Sequence, residues 1–168
     1  MKKQFNRREF IKTTGAASAG MMFGIPGFSK PKQNNRSVTI ESVDSDFERE
    51  PLIRPFGFKG GYMTEIWQTI ARMQSDAGDS KIGLCTQNVL WSDAQVFADH
   101  SESGGNSLMY AMSERALQMI EGMKFEDPLQ LLDEIQDEVY AYGKKITKNP
   151  DLRKTFALNA LVGVDNAA

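Results

Sequence analysis

The chain has 168 residues, with 20 Lys and Arg against 22 Asp and Glu, a single histidine and a single cysteine. With Cys85 alone there is no internal disulfide and no cysteine metal cluster, and with His100 alone no histidine dyad or multi-histidine metal site within the chain. The near balance of charge excludes a polyanion binder unless cations gather on one face, and only Lys144, Lys145 and Lys148 cluster, so nucleic acid is not an expected partner.

Residues 1–12 carry Lys2, Lys3, Arg7, Arg8 and Lys12 against the one acid Glu9, and residues 13–28 carry no charge. A positive segment followed by a short apolar run predicts a signal peptide over 1–28. The apolar run is too short and too glycine-rich to span a bilayer, so no stable membrane anchor is expected. Arg7-Arg8 followed by Glu9-Phe10-Ile11-Lys12 resembles the twin-arginine motif, with Asn6 where Ser or Thr is more usual. That resemblance implies passage through the twin-arginine translocase, as a receptor-read address, and a periplasmic location. Without residues 1–28, 15 basic residues face 21 acidic ones, a formal charge of −6.

SKPKQNNR at 29–36 reads as a linker. Val38, Ile40 and Val43 with β-branched neighbours predict a first strand. The stretch EREPLIRPFGFKGGY that follows mixes two prolines and three glycines with Phe56, Phe58 and Tyr62. It reads as a long loop that packs on, or closes over, something. Ile66, Trp67, Ile70 and Met73, then KIGLCTQNVLW, predict two antiparallel strands joined by a turn at 76–80. The spacing of Ile66, Ile70 and Met73 also fits one face of a helix; the β-branched Thr64, Ile66, Thr69 and Ile70 favour the strand.

Ser92 is expected to cap a short helix that SGGN at 103–106 breaks. Met109, Met112, Ala116, Met119, Ile120 and Met123 recur at helical spacing and predict a long helix ended by Gly122, the methionine stripe reading as core. Asp127 as N-cap and Pro128 at the first position open a second, whose apolar face runs from Leu131 to Ile146. A third opens after Asn149-Pro150 with Phe156, Leu158, Leu161 and Val162. It stops at Ala168 within its apolar pattern, so the chain is expected to be the front of a longer protein. The expected fold is α+β: a three-stranded antiparallel sheet followed by a bundle of three to four helices, with 37–155 as one domain and 156–168 as the start of a helix leading onward.

Catalytic motifs are scarce. No G-x-S-x-G, phosphate-cradling loop or G-x-G-x-x-G is present. His100, beside acids, reads as a solvent-exposed loop histidine, and Asp133, Glu134, Asp137 and Glu138 as a solvated helix face. On residue chemistry alone the chain is not a self-sufficient enzyme.

The organisation, and the segments IESVDSDFEREPLIRPFGFKGG, EIWQTIARMQSDAGDSKIGLCTQNVLWSD and DLRKTFALNALVGVDNAA, resemble the N-terminal capping domain of the enolase superfamily, in its mandelate racemase and muconate lactonizing branch. The resemblance covers residues 37–168. Cys85-Thr86-Gln87 departs from the glycine-glutamate pair many members have there, and Ala77 from their aspartate before Gly78. The family resemblance implies an exported racemase, epimerase, dehydratase or cycloisomerase that abstracts a proton α to a carboxylate, with Mg²⁺ held in a barrel this chain does not include. It implies a small carboxylate substrate and is compatible with a homo-oligomer. No catalytic or metal residue carries over. What carries over is a lid: Arg54, Phe56, Phe58 and Lys59 over the substrate and Trp91, within a wall from Leu90 to Phe97, excluding water. The competing expectation is an exported, non-catalytic α+β binding or accessory domain whose aromatic loop contacts a ligand.

Overall fold

The computed structural model describes residues 37–168. In chain order the elements are β1 (Val38–Phe58), β2 (Gly61–Ser75), β3 (Ser80–Gln87), α1 (Val89–Ser92), α2 (Ala94–Ile120), β4 (Lys124–Phe125), α3 (Pro128–Thr147) and α4 (Lys154–Ala167). The signal-peptide and linker expectations lie outside the described residues. The strands form one antiparallel sheet of order β3-β2-β1-β4, with helices against one face.

The architecture is α+β as expected, with four strands rather than three. The additional strand, β4, is two residues long and pairs only with Val38 and Thr39. Tertiary hydrogen bonds hold it: Ile40 N–H donates to Met123 O at 2.9 Å and Gly122 N–H to Ile40 O at 2.8 Å. No local pattern announces so short a strand.

Period-two burial sets the inner face of the sheet. Met63, Trp67, Thr69, Ala71, Met73 and Ser75 of β2 are buried, as are Gly83, Cys85 and Gln87 of β3. The outer face carries Ile70, Ile82 and Leu84 in solvent, beside the acids of β1. Below the inner face, Met109, Met112, Ala116 and Ile120 of α2 meet Leu131, Ile135 and Val139 of α3 and Phe156, Ala160 and Val164 of α4 in one core. Leu158 and Val162, read with the apolar residues of α4, face solvent instead.

The segment expected as a loop is the far half of a 21-residue strand. Its prolines and glycines sit at two places that the ladder tolerates. Pro51 pairs with Glu65 and Phe56 with Met63, so four residues, Leu52–Pro55, stand opposite Thr64 alone. The hairpin then closes through Lys59 (φ 46°) and Gly60 (φ 82°), the two left-handed positions that a tight two-residue turn requires.

The helix break also differs from expectation. Helix α2 continues through Gly104 and Gly105, where a Cβ on Gly105 would lie 2.4 Å from Val89 Cγ2. The interruption is at Ser101 (φ 64°, ψ 174°), whose Oγ accepts from Gly104 N–H at 3.3 Å and so caps the second half of the helix from within. Asp93, not Ser92, is the N-cap of α2: its Oδ1 accepts from Gln95 and Val96 N–H, at 2.9 and 3.4 Å.

Both sheet edges are covered by nearby side chains. On β1, beyond the short β4, Ser45 N–H donates to Asp44 Oδ1 and Phe47 N–H to Asp46 Oδ1. On β3, Leu84 O accepts from Asn166 Nδ2 at 2.8 Å and Thr86 O from Asn159 Nδ2 at 3.4 Å. Among the described residues no helix is long and apolar enough to cross a membrane.

Candidate functional site

The tip of the β1–β2 hairpin, residues 51–62, contains Arg54 and Lys59 and no acid. It is therefore a positive patch on a chain of net negative charge. Ile53, Phe56 and Tyr62 are well exposed, and Phe58 is 36% exposed. Phe56 and Phe58 stack with centroids 6.4 Å apart, Lys59 Nζ lies 5.2 Å from the Phe58 ring centre, and Tyr62 covers Gly57.

The structure brings Lys59 and Trp91 together: Lys59 Nζ donates to Trp91 O at 3.1 Å. A Cβ on Gly61 would be 3.1 Å from both Leu90 Cδ1 and Phe97 Cε1, so the returning strand rests on the α1–α2 corner. Phe56, Phe58, Lys59 and Trp91 thus border one surface, while Arg54 stands apart in the bulge with its side chain in solvent. Trp91 is oriented by Asn159, whose Oδ1 accepts from Trp91 Nε1 at 3.1 Å and from Ser92 Oγ at 2.9 Å.

The base of the tip is tied down by side chains from α2 and from the end of β3. Because the bulge removes Thr64 from the ladder, its N–H is free, and Glu102 accepts it at 3.0 Å together with the Thr64 hydroxyl. Asn88 Nδ2 also donates to Glu102, at 2.9 Å, and to Glu65 O, at 2.8 Å. Glu102 directly follows the left-handed Ser101, so the kink in α2 delivers the carboxylate to the hairpin. The next residue, Ser103, joins Glu65 through its hydroxyl; Glu65 Oε1 also accepts from Trp67 Nε1 at 3.0 Å and its Oε2 pairs with Arg49 at 2.7 Å. Trp67 in turn stacks on Phe47 at 4.4 Å. The only available signal was polar residues interrupting an apolar pattern.

Burial alone would raise the Glu65 carboxyl, but hydrogen bonds from Trp67, Arg49 and Ser103, with the Arg49 charge, outweigh it and hold the group below the ordinary value of 4.5. With the folded value lowered, the unfolded chain binds the proton first. The network therefore stabilises the fold above pH 4.5 and loses that contribution as pH falls through the folded value. Glu65→Gln is expected to be about 1 kcal/mol less stable than the parent at neutral pH. In urea titrations the two midpoints should converge below pH 4.5; a gap that stays constant there would show that the charge is not its source.

His100 departs from its expected place in a solvated loop. It lies on α2, and its Nε2 donates to Thr147 O at 3.0 Å near the end of α3, which makes it a structural link. Cys85 is buried on the inner sheet face, and desolvation pushes its thiol up, so it is a poor nucleophile. Among the described residues no three His, Cys, Asp or Glu side chains converge to hold a metal ion. The surface as built can grip an anion and shed water; it offers no acid–base pair on its own.

No family model matches the chain, and no curated protein matches it. Among solved structures, it resembles an L-talarate/galactarate dehydratase from Salmonella typhimurium LT2, at 18% identity and a TM-score of 0.49 over 83% of this chain and 31% of that one. It also resembles an L-talarate dehydratase from Polaromonas sp. JS666 complexed with Mg and L-glucarate, at 15% identity and 0.47 over 79% and 31%. A mandelate racemase/muconate lactonizing protein from Herpetosiphon aurantiacus follows at 15% and 0.41, over 76% and 28%. The chain therefore spans under a third of the length of each of these three structures.

Proposed function

We propose that residues 37–168 are the substrate-covering part of an exported enzyme that abstracts a proton α to a carboxylate, of the mandelate racemase and muconate lactonizing type. One observation carries the reading: the exposed hairpin tip, with Lys59, Arg54, Phe56 and Phe58 and no acid, set on a base fixed by Glu65 and Glu102. Cations at the tip suit an anionic substrate, and the aromatics suit exclusion of water from a charged intermediate. Mg²⁺ would act by stabilising that intermediate. The residues described here do not fit a metal site, so no step through the ion is assigned to them. The run from Arg7-Arg8 through the uncharged stretch 13–28 supports export by the twin-arginine route as part of the proposal.

The test is kinetic. In the active enzyme, Lys59→Ala is expected to raise KM for the carboxylate substrate roughly tenfold, the equivalent of one charge-assisted hydrogen bond. Phe58→Ala should lower kcat with a smaller effect on KM. Unchanged kcat and KM in both variants would overturn the lid. Binding of a carboxylate without turnover, abolished by Lys59→Ala, would favour the accessory binding domain instead.

A further inference from the structure

Asn159 of α4 stands outside the lid surface, yet its side chain ties α4 to α1 and to the edge of β3. Its Oδ1 accepts from Trp91 Nε1 at 3.1 Å and from Ser92 Oγ at 2.9 Å. Its Nδ2 donates to Thr86 O at 3.4 Å and toward Cys85 Sγ at 3.7 Å. An indole N–H can only donate and a backbone carbonyl can only accept, so one orientation of the amide satisfies both neighbours. At this size only asparagine offers an acceptor to α1 and a donor to β3 at once; aspartate lacks the donor and leucine lacks both. Trp91 Nε1 has no other partner among the described residues. Trp91 in turn gives its carbonyl to Lys59 Nζ at 3.1 Å. Hydrogen bonds therefore lead from the β3 edge through Asn159 and Trp91 to the hairpin tip. Helix α1 has only four residues, too few to fix a large side chain by its own rigidity.

We infer that Asn159 is a positioning residue for the lid: it fixes the Trp91 ring at the wall, and with it the carbonyl on which Lys59 rests. The effect on turnover rests on the lid reading; the placement of the ring is measurable without it. The surrounding contacts separate this role from general packing. Thr155 Oγ1 donates to Ser92 O at 2.7 Å, so α4 keeps its hold on α1 without the Asn159 side chain. The Asn159 backbone carbonyl accepts from Gln87 Nε2 and Cys85 Sγ, each at 3.4 Å, contacts that any residue at 159 retains. Ser92 Oγ has Asn88 O as a second acceptor at 3.0 Å. Truncation at 159 thus leaves the joint made and orphans the Trp91 indole.

The chain has two tryptophans, Trp67 and Trp91, and hence two indole N–H signals in a nitrogen–proton correlation spectrum of the 168-residue protein. Trp91→Phe deletes one and so assigns both. Asn159→Ala is expected to shift the Trp91 signal and to speed its exchange with solvent about tenfold, as the loss of one hydrogen bond requires. The Trp67 signal, held by Glu65, should stay in place. Asn159→Asp keeps the acceptor and should return the Trp91 signal toward its parent position. In the active enzyme, Asn159→Ala should lower kcat about tenfold or more with a smaller change in KM, since a misplacement of about 1 Å away from the chemistry costs up to about 100-fold. Trp91→Phe should lower kcat alike, and the double variant should be no worse than either, because the two act through one contact. A Trp91 signal unmoved by Asn159→Ala overturns the inference, as do kcat losses that multiply in the double variant. So does a Trp91→Phe deficit that Asn159→Ala does not share. Trp91→Phe with the parent's kcat and KM overturns the lid wall itself, and the part of Asn159 in it.

Discussion

Gly83→Ala is expected to destabilise the protein by about 3 kcal/mol or more, enough to lower the melting temperature by roughly 10 °C. Gly83 is where β3 and α4 touch backbone to backbone. A Cβ added there would lie 1.9 Å from Gly163 O, 2.5 Å from Ala167 N and 2.9 Å from Asn166 C. None of these is the end of a flexible side chain, so the methyl group fits only if the helix moves off the sheet. That movement would strip packing from Ala71 and Cys85, which face Gly163 across the same contact. Gly163 supplies the control. A Cβ on it would meet Ala71 Cβ at 3.6 Å, Cys85 Cβ at 3.8 Å and Gly83 O at 3.8 Å, all ordinary contacts. Gly163 is inside a helix, where alanine is favoured over glycine by about 0.5–1 kcal/mol. Gly163→Ala should therefore be neutral to stabilising. Calorimetric melting of both variants decides the matter: a Gly83→Ala variant that melts with the parent would show that the β3–α4 contact is looser than its geometry requires.

Asp93→Ala should also be costly, by about 2–3 kcal/mol. Asp93 is 1% exposed and joins three helices. Its own N–H closes α1 by donating to Val89 O, its Oδ1 caps α2, and its Oδ2 accepts from Arg153 N–H at 2.9 Å where α4 begins. Loss of the cap is worth about 1 kcal/mol, and leaving Arg153 N–H without a partner in a part-buried site about 1–2 more. Asp93→Ser separates the two contributions. Serine can still cap α2 but does not reach Arg153, so it should recover roughly the cap's share of the loss. Urea unfolding with an unchanged slope would measure both variants. A serine variant no better than alanine would place the whole effect at the Arg153 contact; an alanine variant within a few tenths of the parent would remove Asp93 from its role as the corner of the bundle.

Much of the fold can be read from residue pattern because burial follows local period. The alternation in β2 and β3, the methionine stripe of α2 and the Asp127-Pro128 start of α3 all read directly onto the structure. What did not read was decided by contacts distant in sequence. Prolines 51 and 55 argued for a loop, yet an antiparallel ladder survives them by bulging at Leu52–Pro55 and re-forming beyond. Gly104 and Gly105 argued for a helix break, yet Val89 packs against Gly105 and the break falls at Ser101. Strand β4 exists only through its pairing with Val38 and Thr39, beside the bonds of Ile40 to Gly122 and Met123. At the candidate site the aromatics and Lys59 stood out by type, but their supports did not. Glu65, Asn88, Glu102 and Asn159 are ordinary polar residues until the chain is folded, and most of their partners lie 14 to 74 positions away in sequence.

The covering of the sheet edges bears on how the chain behaves in a crowded compartment. A strand with open amides and carbonyls recruits the same strand of a neighbour and starts a fibre. Here Asp44 and Asp46 occupy edge amides on one side, and Asn159 and Asn166 occupy edge carbonyls on the other. A newcomer strand would have to displace hydrogen bonds already made, and on the β1 side would bring its own acids against Asp44 and Asp46. Each of these side chains would have to be turned out before a neighbour's strand could dock, so the fold opposes growth by strand addition at both edges.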